Sequence, residues 1–181
     1  MNLRYLFLRG SPISDLSPIA ELTNLENLAL NAKVLDLSPI AGLTNLKHIQ
    51  LWGANQINFS VFANLKNLES LHMWHGTISN LSGITGLTGL KHLEIYDHEL
   101  EDISSIAHLT GLRTLRLGGN RNITDASPVA DLINLEYLDF HHDSISDLSP
   151  LAGLINLKEL NLYDNRLISI IIGGINKIET S

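Results

Sequence analysis

The chain alternates apolar and polar residues in short bursts, and the bursts recur. One burst, LEYLDF from Leu135 to Phe140, is followed by a polar corner and then by D-L-S-P, an apolar residue, A and a polar turn. Copies start at Leu3, Leu25, Leu46, Leu68, Leu90, Leu112, Leu135 and Leu157, spaced by 22, 21, 22, 22, 22, 23 and 22 residues. Self-similarity at such a period signals a solenoid. The alternating part of each copy predicts a short strand with every second residue inward. The inward pairs are Leu6/Leu8, Leu28/Leu30, Ile49/Leu51, Leu71/Met73, Leu93/Ile95, Leu115/Leu117, Leu138/Phe140 and Leu160/Leu162. Eight strands stacked in parallel at about 4.8 Å give a sheet roughly 35 Å long. No repeat can bury its leucines alone, so neighbours must supply the core.

After each strand the chain turns back through D-L-S-P-I-A. Ser17-Pro18, Ser38-Pro39, Ser127-Pro128 and Ser149-Pro150 recur at one phase. Serine then proline suits the N-cap and first position of a short helical turn, where proline's missing N–H costs nothing. One or two turns of 3₁₀ or α-helix per repeat are expected. A bulky strand side and a slim return side curve the stack, with the sheet concave. The Thr-Asn before several strands (Thr23-Asn24, Thr44-Asn45) reads as a turn in which asparagine bonds its own backbone.

This is a leucine-rich repeat pattern. It resembles the 22-residue internalin-type repeats of bacterial surface proteins, with L-T-N-L and D-L-S-P-x-A nearly verbatim in several copies from Leu3 to about Ile178. The expected fold is therefore an α/β repeat solenoid, curved and right-handed, with a concave parallel β-sheet and short 3₁₀ or α turns on the convex side. Residues 1–181 form one domain of about eight repeats. The corner asparagine of the family stands only at Asn120 and Asn165, with Ser11 and Asp143 as small polar replacements. Ala54, Gly76 and His98 hold that phase elsewhere. The last copy replaces serine-proline with Ile171-Ile172. Residues 166–181 are accordingly read as a capping or truncated repeat, or as a docking surface for a neighbour, including end-to-end self-association.

Composition narrows the function. A net charge of −7 with 12 lysines and arginines argues against nucleic acid. The absence of cysteine removes disulfides and thiolate metal sites. No stretch approaches the ~18 consecutive apolar residues of a membrane span. The opening MNLRYLFLRGSP keeps the register of the repeat, with Leu3, Leu6 and Leu8 matching Leu25, Leu28 and Leu30. It is read as structure rather than as a signal sequence, and the chain as an excerpt of something longer.

Binding chemistry should sit on the outward strand positions, which form three columns. The third runs Arg9, Asn31, Trp52, Trp74, Tyr96, Gly118, His141, Tyr163, and holds both tryptophans on adjacent repeats. Solvent-facing aromatics give large contact area at low entropic cost; the alternative is cross-strand stacking that only stiffens the sheet. His48, His72, His92 and His141 also lie in the columns, with Glu94, Arg116 and Asp139 beside them. These histidines read as polar contacts and not as a metal centre, because His48 and His92 are two strands, about 10 Å, apart. A charged column precedes the strands with mostly alternating sign (Arg4, Glu26, Lys47, Glu69, Lys91, Arg113, Glu136, Lys158), broken at Lys91–Arg113. No phosphate loop or nucleophile elbow is present, and an open concave sheet excludes little water.

The expected function is non-catalytic, cofactor-free recognition of a protein through the concave face. The site comprises Trp52, Trp74 and Tyr96, flanked by His48, His72, His92 and Glu94, with Arg116, Asp139, His141 and Tyr163 as a more polar half. The resemblance implies a secreted or cell-surface bacterial protein engaging a host or neighbouring-cell protein; a cytoplasmic protein is the alternative. Glycan binding and a structural spacer are the competing functions.

Overall fold

Nine short strands follow one another along the chain in a computed structural model that describes residues 2–10, 13–31, 36–55, 57–167 and 178–179. They are β1 (Tyr5–Leu8), β2 (Asn27–Asn31), β3 (His48–Trp52), β4 (Ser70–Trp74), β5 (His92–Tyr96), β6 (Thr114–Arg116), β7 (Tyr137–Asp139), β8 (Glu159–Asn161) and β9 (Ile178–Glu179). Each pairs in parallel with the next, in sequence order. The register is that of the repeat: Leu28 lies opposite Ile49, Ile49 opposite Leu71, and Leu71 opposite Leu93. The sequence pattern predicts eight strands; β9 is the ninth and pairs with β8. The other residues of the expected C-terminal repeat, apart from Arg166 and Leu167, lie outside the described residues. So does Ser11.

The inward leucines and isoleucines of neighbouring repeats merge into one continuous core. Ile49, Leu51, Leu71, Met73, Leu93, Ile95, Leu115 and Leu138 are completely buried. Burying each such side chain contributes about 1.5–3 kcal/mol. Leu6 and Leu8 of β1 are only half-buried, since the first strand is packed from one side.

The described return segments are all 3₁₀: Ser17–Ile19, Ser38–Ile40, Phe59–Phe62, Ile84–Gly86, Ser104–His108, Ser127–Val129 and Ser149–Gly153. The serine is not the N-cap here. Leu16, Leu37, Ala126 and Leu148 hold that position without a side-chain bond, and serine is the first helical residue. The aspartate two residues earlier does the capping. Asp15, Asp36, Asp125 and Asp147 each accept the serine N–H at 2.7–2.8 Å and its hydroxyl at 2.8–2.9 Å. Where proline is missing the cap persists, as Asn58 for Ser60, Asn80 for Ser82 and Asp102 for Ser104. The motif that holds each return turn is thus acid or amide, any residue, serine.

The turn asparagines also act differently from expectation. Asn45, Asn67, Asn134 and Asn156 do not bond their own backbone. Each donates to the preceding repeat, at the carbonyl of Thr23, Thr44, Thr110 and Ile133 (2.8–2.9 Å). They are rungs between repeats. The charged column does the same at the next residues: Glu26 takes Arg4 and Lys47, Lys91 takes Glu69, and Glu136 takes Arg113 and Lys158. Lys91 and Arg113 each pair away from the other, which resolves the break in alternation. Their lysine partners hold Glu26, Glu69 and Glu136 below the usual carboxylate range.

Candidate functional site

The third column ends at a sharp rim. The next residue in the described repeats, Gly10, Gly53, His75, Asp97, Gly119, His142 and Asp164, has φ between +54° and +81°. This left-handed turn carries the chain off the strand. Side chains at this rim pair between repeats: His75 with Asp97 at 3.0 Å and His142 with Asp164 at 2.8 Å.

Behind the rim, on β3 and β4, Trp52 and Trp74 stack with ring centroids 4.7 Å apart and planes 22° from parallel. Strand register brings them together, since Trp52 lies opposite Trp74. Arg9 reaches over repeat two to place its guanidinium 4.3 Å from the Trp52 ring. Trp52 is therefore covered on one side by a cation and on the other by Trp74. Tyr5 and Phe7, on β1, are among the most exposed large apolar side chains described, at 56% and 67%. With buried Ala29 opposite Phe7, they extend the apolar ground to the first strand.

The middle of the face is a polar relay. Ser70 Oγ lies 2.8 Å from His72 Nε2, and His72 Nδ1 lies 3.7 Å from Glu94. Glu94 takes Arg116 at 3.1 Å, and the Arg116 guanidinium lies 4.5 Å from the Tyr137 ring centroid. Burial pushes the His72 imidazole below its ordinary value, outweighing the pull of Glu94. A serine, a histidine and an acid in line suggest a nucleophile, but the geometry opposes it. Glu94 is beyond hydrogen-bond reach of His72 and committed to Arg116. Ser70 is 7% exposed, and its own N–H is spent on the Lys47 carbonyl, so it is not free as an oxyanion donor. His92 bonds Thr114 Oγ1 at 3.1 Å, and His48 stands exposed at the margin.

Repeat six breaks the aromatic column with glycine, and the neighbours use the space. A Cβ at Gly118 would lie 2.0 Å from His141 Nδ1, so the imidazole occupies the place a side chain would take. Tyr96 reaches past repeat six and donates to Asp139 at 2.8 Å. Asp139 also accepts the His141 N–H at 3.0 Å and lies 2.8 Å from His141 Nδ1. Burial and the Asp139 carboxylate raise the Tyr96 phenol well above its usual value. His141 packs edge-on to His142 (5.2 Å), and His142 to Tyr163 (5.1 Å). The expected aromatic row is thus two clusters: Arg9, Trp52 and Trp74 in one, and Tyr96, Asp139, His141, His142 and Tyr163 in the other.

Two corner residues are buried with an orphaned atom. His98 Nδ1 accepts the Ile78 N–H at 3.2 Å while Nε2 has no partner. Asn120 and Asn165 accept from Leu100 and Ile145 at the same offset of 20 residues, so His98 does the work of the corner asparagine. Burial drops its imidazole to about 4. It is a structural residue and no part of the surface. Asp143 accepts from the N–H groups of Asn120 and Arg121, both at 3.0 Å; burial pushes its carboxyl up to about 8.

Sequence reasoning left out Arg9, Tyr5, Phe7, His75 and His142. The signal for Tyr5 and Phe7 was available, because they are aromatics at outward strand positions like Trp52. Arg9 and the rim pairs needed side-chain geometry. Among the described residues no group of three or more His, Asp or Glu is arranged to hold a metal ion, and no helix is long and apolar enough to cross a membrane.

The comparisons with known proteins agree with this architecture. Residues 110–153 match the family model described as leucine rich repeats (2 copies), and residues 156–178 match that of the leucine rich repeat. Among solved structures, the chain is similar to internalin C2 of Listeria monocytogenes, at 28% identity and a TM-score of 0.86, covering 98% of this chain and 80% of that one. It is similar to the internalin inlF of the same organism at 26% identity and a TM-score of 0.69, covering 99% of this chain and 63% of that one. A leucine-rich repeat protein of Leptospira interrogans shares the fold at 24% identity and a TM-score of 0.81, over 91% of this chain and 45% of that one. No curated protein matched the sequence.

Proposed function

We propose that this chain, which carries leucine rich repeats and is similar in structure to Listeria internalins, is a non-catalytic recognition module that holds a protein partner on its concave face, at a bacterial surface or after secretion. Leucine-rich repeat proteins generally mediate protein–protein interactions, and the internalin-like fold is typically non-enzymatic. Solenoids present long preformed concave surfaces for this purpose.

The observation that carries the reading is the Arg9–Trp52–Trp74 stack. The core does not need these side chains, since the core residues of β3 and β4 face the other way. Rigid aromatics flanked by arginine are the side chains that anchor protein interfaces. Exposed Tyr5 and Phe7 add aromatic surface on the first strand of the same face. Glycan stacking has less support at Trp52, because a sugar needs an open ring face and this ring already carries Trp74 and the Arg9 guanidinium.

The chain has no cysteine, so a single thiol can be placed on either face. A polyethylene glycol chain attached at Gln50→Cys, the outward residue in the middle of β3 between His48 and Trp52, should block partner capture. The same chain at Ala63→Cys on the convex side should leave it intact. Equal capture by both would remove the concave face as the binding surface.

A further inference from the structure

The concave face and rim are electrically lopsided. On the three columns and the rim, β1 to β4 present a single fixed charge among the described residues, the Arg9 cation. The matching positions of β5 to β8 carry Glu94, Asp97, Asp139, Glu159 and Asp164 against Arg116 alone. Glu94 is taken by Arg116, and Asp139 by Tyr96 and His141. Asp97, Glu159 and Asp164 are exposed; Asp97 and Asp164 share their outer edge with the rim histidines His75 and His142, and these three carboxylates are the charges a partner meets. The charged column at the other edge of the sheet pairs its members across repeats and adds little field of its own.

The apolar ground is distributed the opposite way. Tyr5, Phe7, Trp52 and Trp74 lie at the first four strands. Among the described residues, the one large aromatic exposed at the other end is Tyr163, directly before Asp164 in the chain. His142 meets both, edge-on to the Tyr163 ring at 5.1 Å and 2.8 Å from Asp164, so a partner's ammonium or guanidinium group would join an aromatic and acidic cluster there. The same face already seats guanidinium groups on aromatic rings twice from within, Arg9 on Trp52 and Arg116 on Tyr137.

We infer that the partner is a protein segment that lies along the face in one polarity, with apolar side chains over Phe7, Trp52 and Trp74 and lysine or arginine side chains over Asp97, Glu159 and Asp164. This rests on the concave-face reading above and adds the partner's chemistry and orientation to it. Charge complementarity of this kind sets register and accelerates encounter.

The test uses two synthetic peptides with the same apolar block, one continuing into lysines and arginines, the other into glutamates and aspartates. Fluorescence anisotropy measures each against the folded chain. The basic peptide should bind, weaken as salt rises, and lose at least tenfold in affinity to Asp97→Asn/Glu159→Gln/Asp164→Asn; the acidic peptide should not bind. The three carboxylates are exposed, and circular dichroism checks that the variant is folded. An acidic peptide that binds as well, a neutralised variant that binds the basic peptide unchanged, or no binding of the basic peptide overturns the inference. The thiol-blocking test of the concave face is independent of peptide charge, so the two readings fail separately.

Discussion

The Tyr96 hydroxyl donates a 2.8 Å hydrogen bond to Asp139, although the two residues belong to repeats that are not neighbours. The third-column position between them is Gly118, where the His141 imidazole takes the place of a side chain and itself meets Asp139 at 2.8 Å. Asp139 is 3% exposed, so its oxygens depend on protein donors. Tyr96→Phe keeps the ring and deletes one donor. Leaving a buried acceptor short costs about 1–3 kcal/mol, which for a chain of this size lowers Tm by roughly 2–4 °C per kcal/mol. An unchanged melting curve would mean that the bond contributes nothing.

His98 should make the protein acid-sensitive. Burial holds its imidazole at about 4, against about 6.5 in an unfolded chain. Between those values the unfolded chain binds more protons, so stability is full above pH ~6.5 and is lost as pH falls towards 4. The loss amounts to something on the order of 3 kcal/mol at the acid end. His98→Asn installs the side chain that Asn120 and Asn165 use for the same bond, and an amide does not titrate. Denaturant midpoints measured from pH 7 to pH 4 should fall less steeply in His98→Asn than in the native chain. Parallel slopes would contradict the assignment.

The return turns should depend on aspartate more than on serine. Asp147 holds both the Ser149 N–H and its hydroxyl, and the N–H bond keeps the carboxyl below its ordinary range. Asp147→Ala leaves the turn uncapped, whereas Ser149→Ala removes only the hydroxyl. Thermal unfolding should rank Asp147→Ala below Ser149→Ala, and Asp147→Asn between Asp147→Ala and the native chain. The reverse order would return the capping role to serine.

The architecture was readable because a solenoid writes its geometry into one period. Leu28, Ile49, Leu71 and Leu93 had to face one way for any repeat to bury its leucines, and they lie in register. The Trp52–Trp74 contact followed from the same period. Direct pairing across repeats, however, depends on where long side chains go, and spacing does not encode that. Tyr96 continues the row on paper, but its hydroxyl bonds Asp139 two repeats on, and His141 fills the space at Gly118. His98 holds the phase of the corner asparagine in the sequence, but that it also does the asparagine's work was visible only in its burial and the bond from Ile78. In the D-L-S-P motif, both aspartate and serine are cap formers by composition, and only the bond directions separated them.

The central claim is that the aromatic ground at the first strands anchors a protein partner. The most direct measurement is quantitative affinity capture from host-cell and bacterial lysates, comparing the native chain with Phe7→Ala/Trp52→Ala/Trp74→Ala after circular dichroism shows both to be folded. The account predicts a specific protein held by the native chain and lost, by tenfold or more, by the variant. Equal capture by the two folded chains would contradict it.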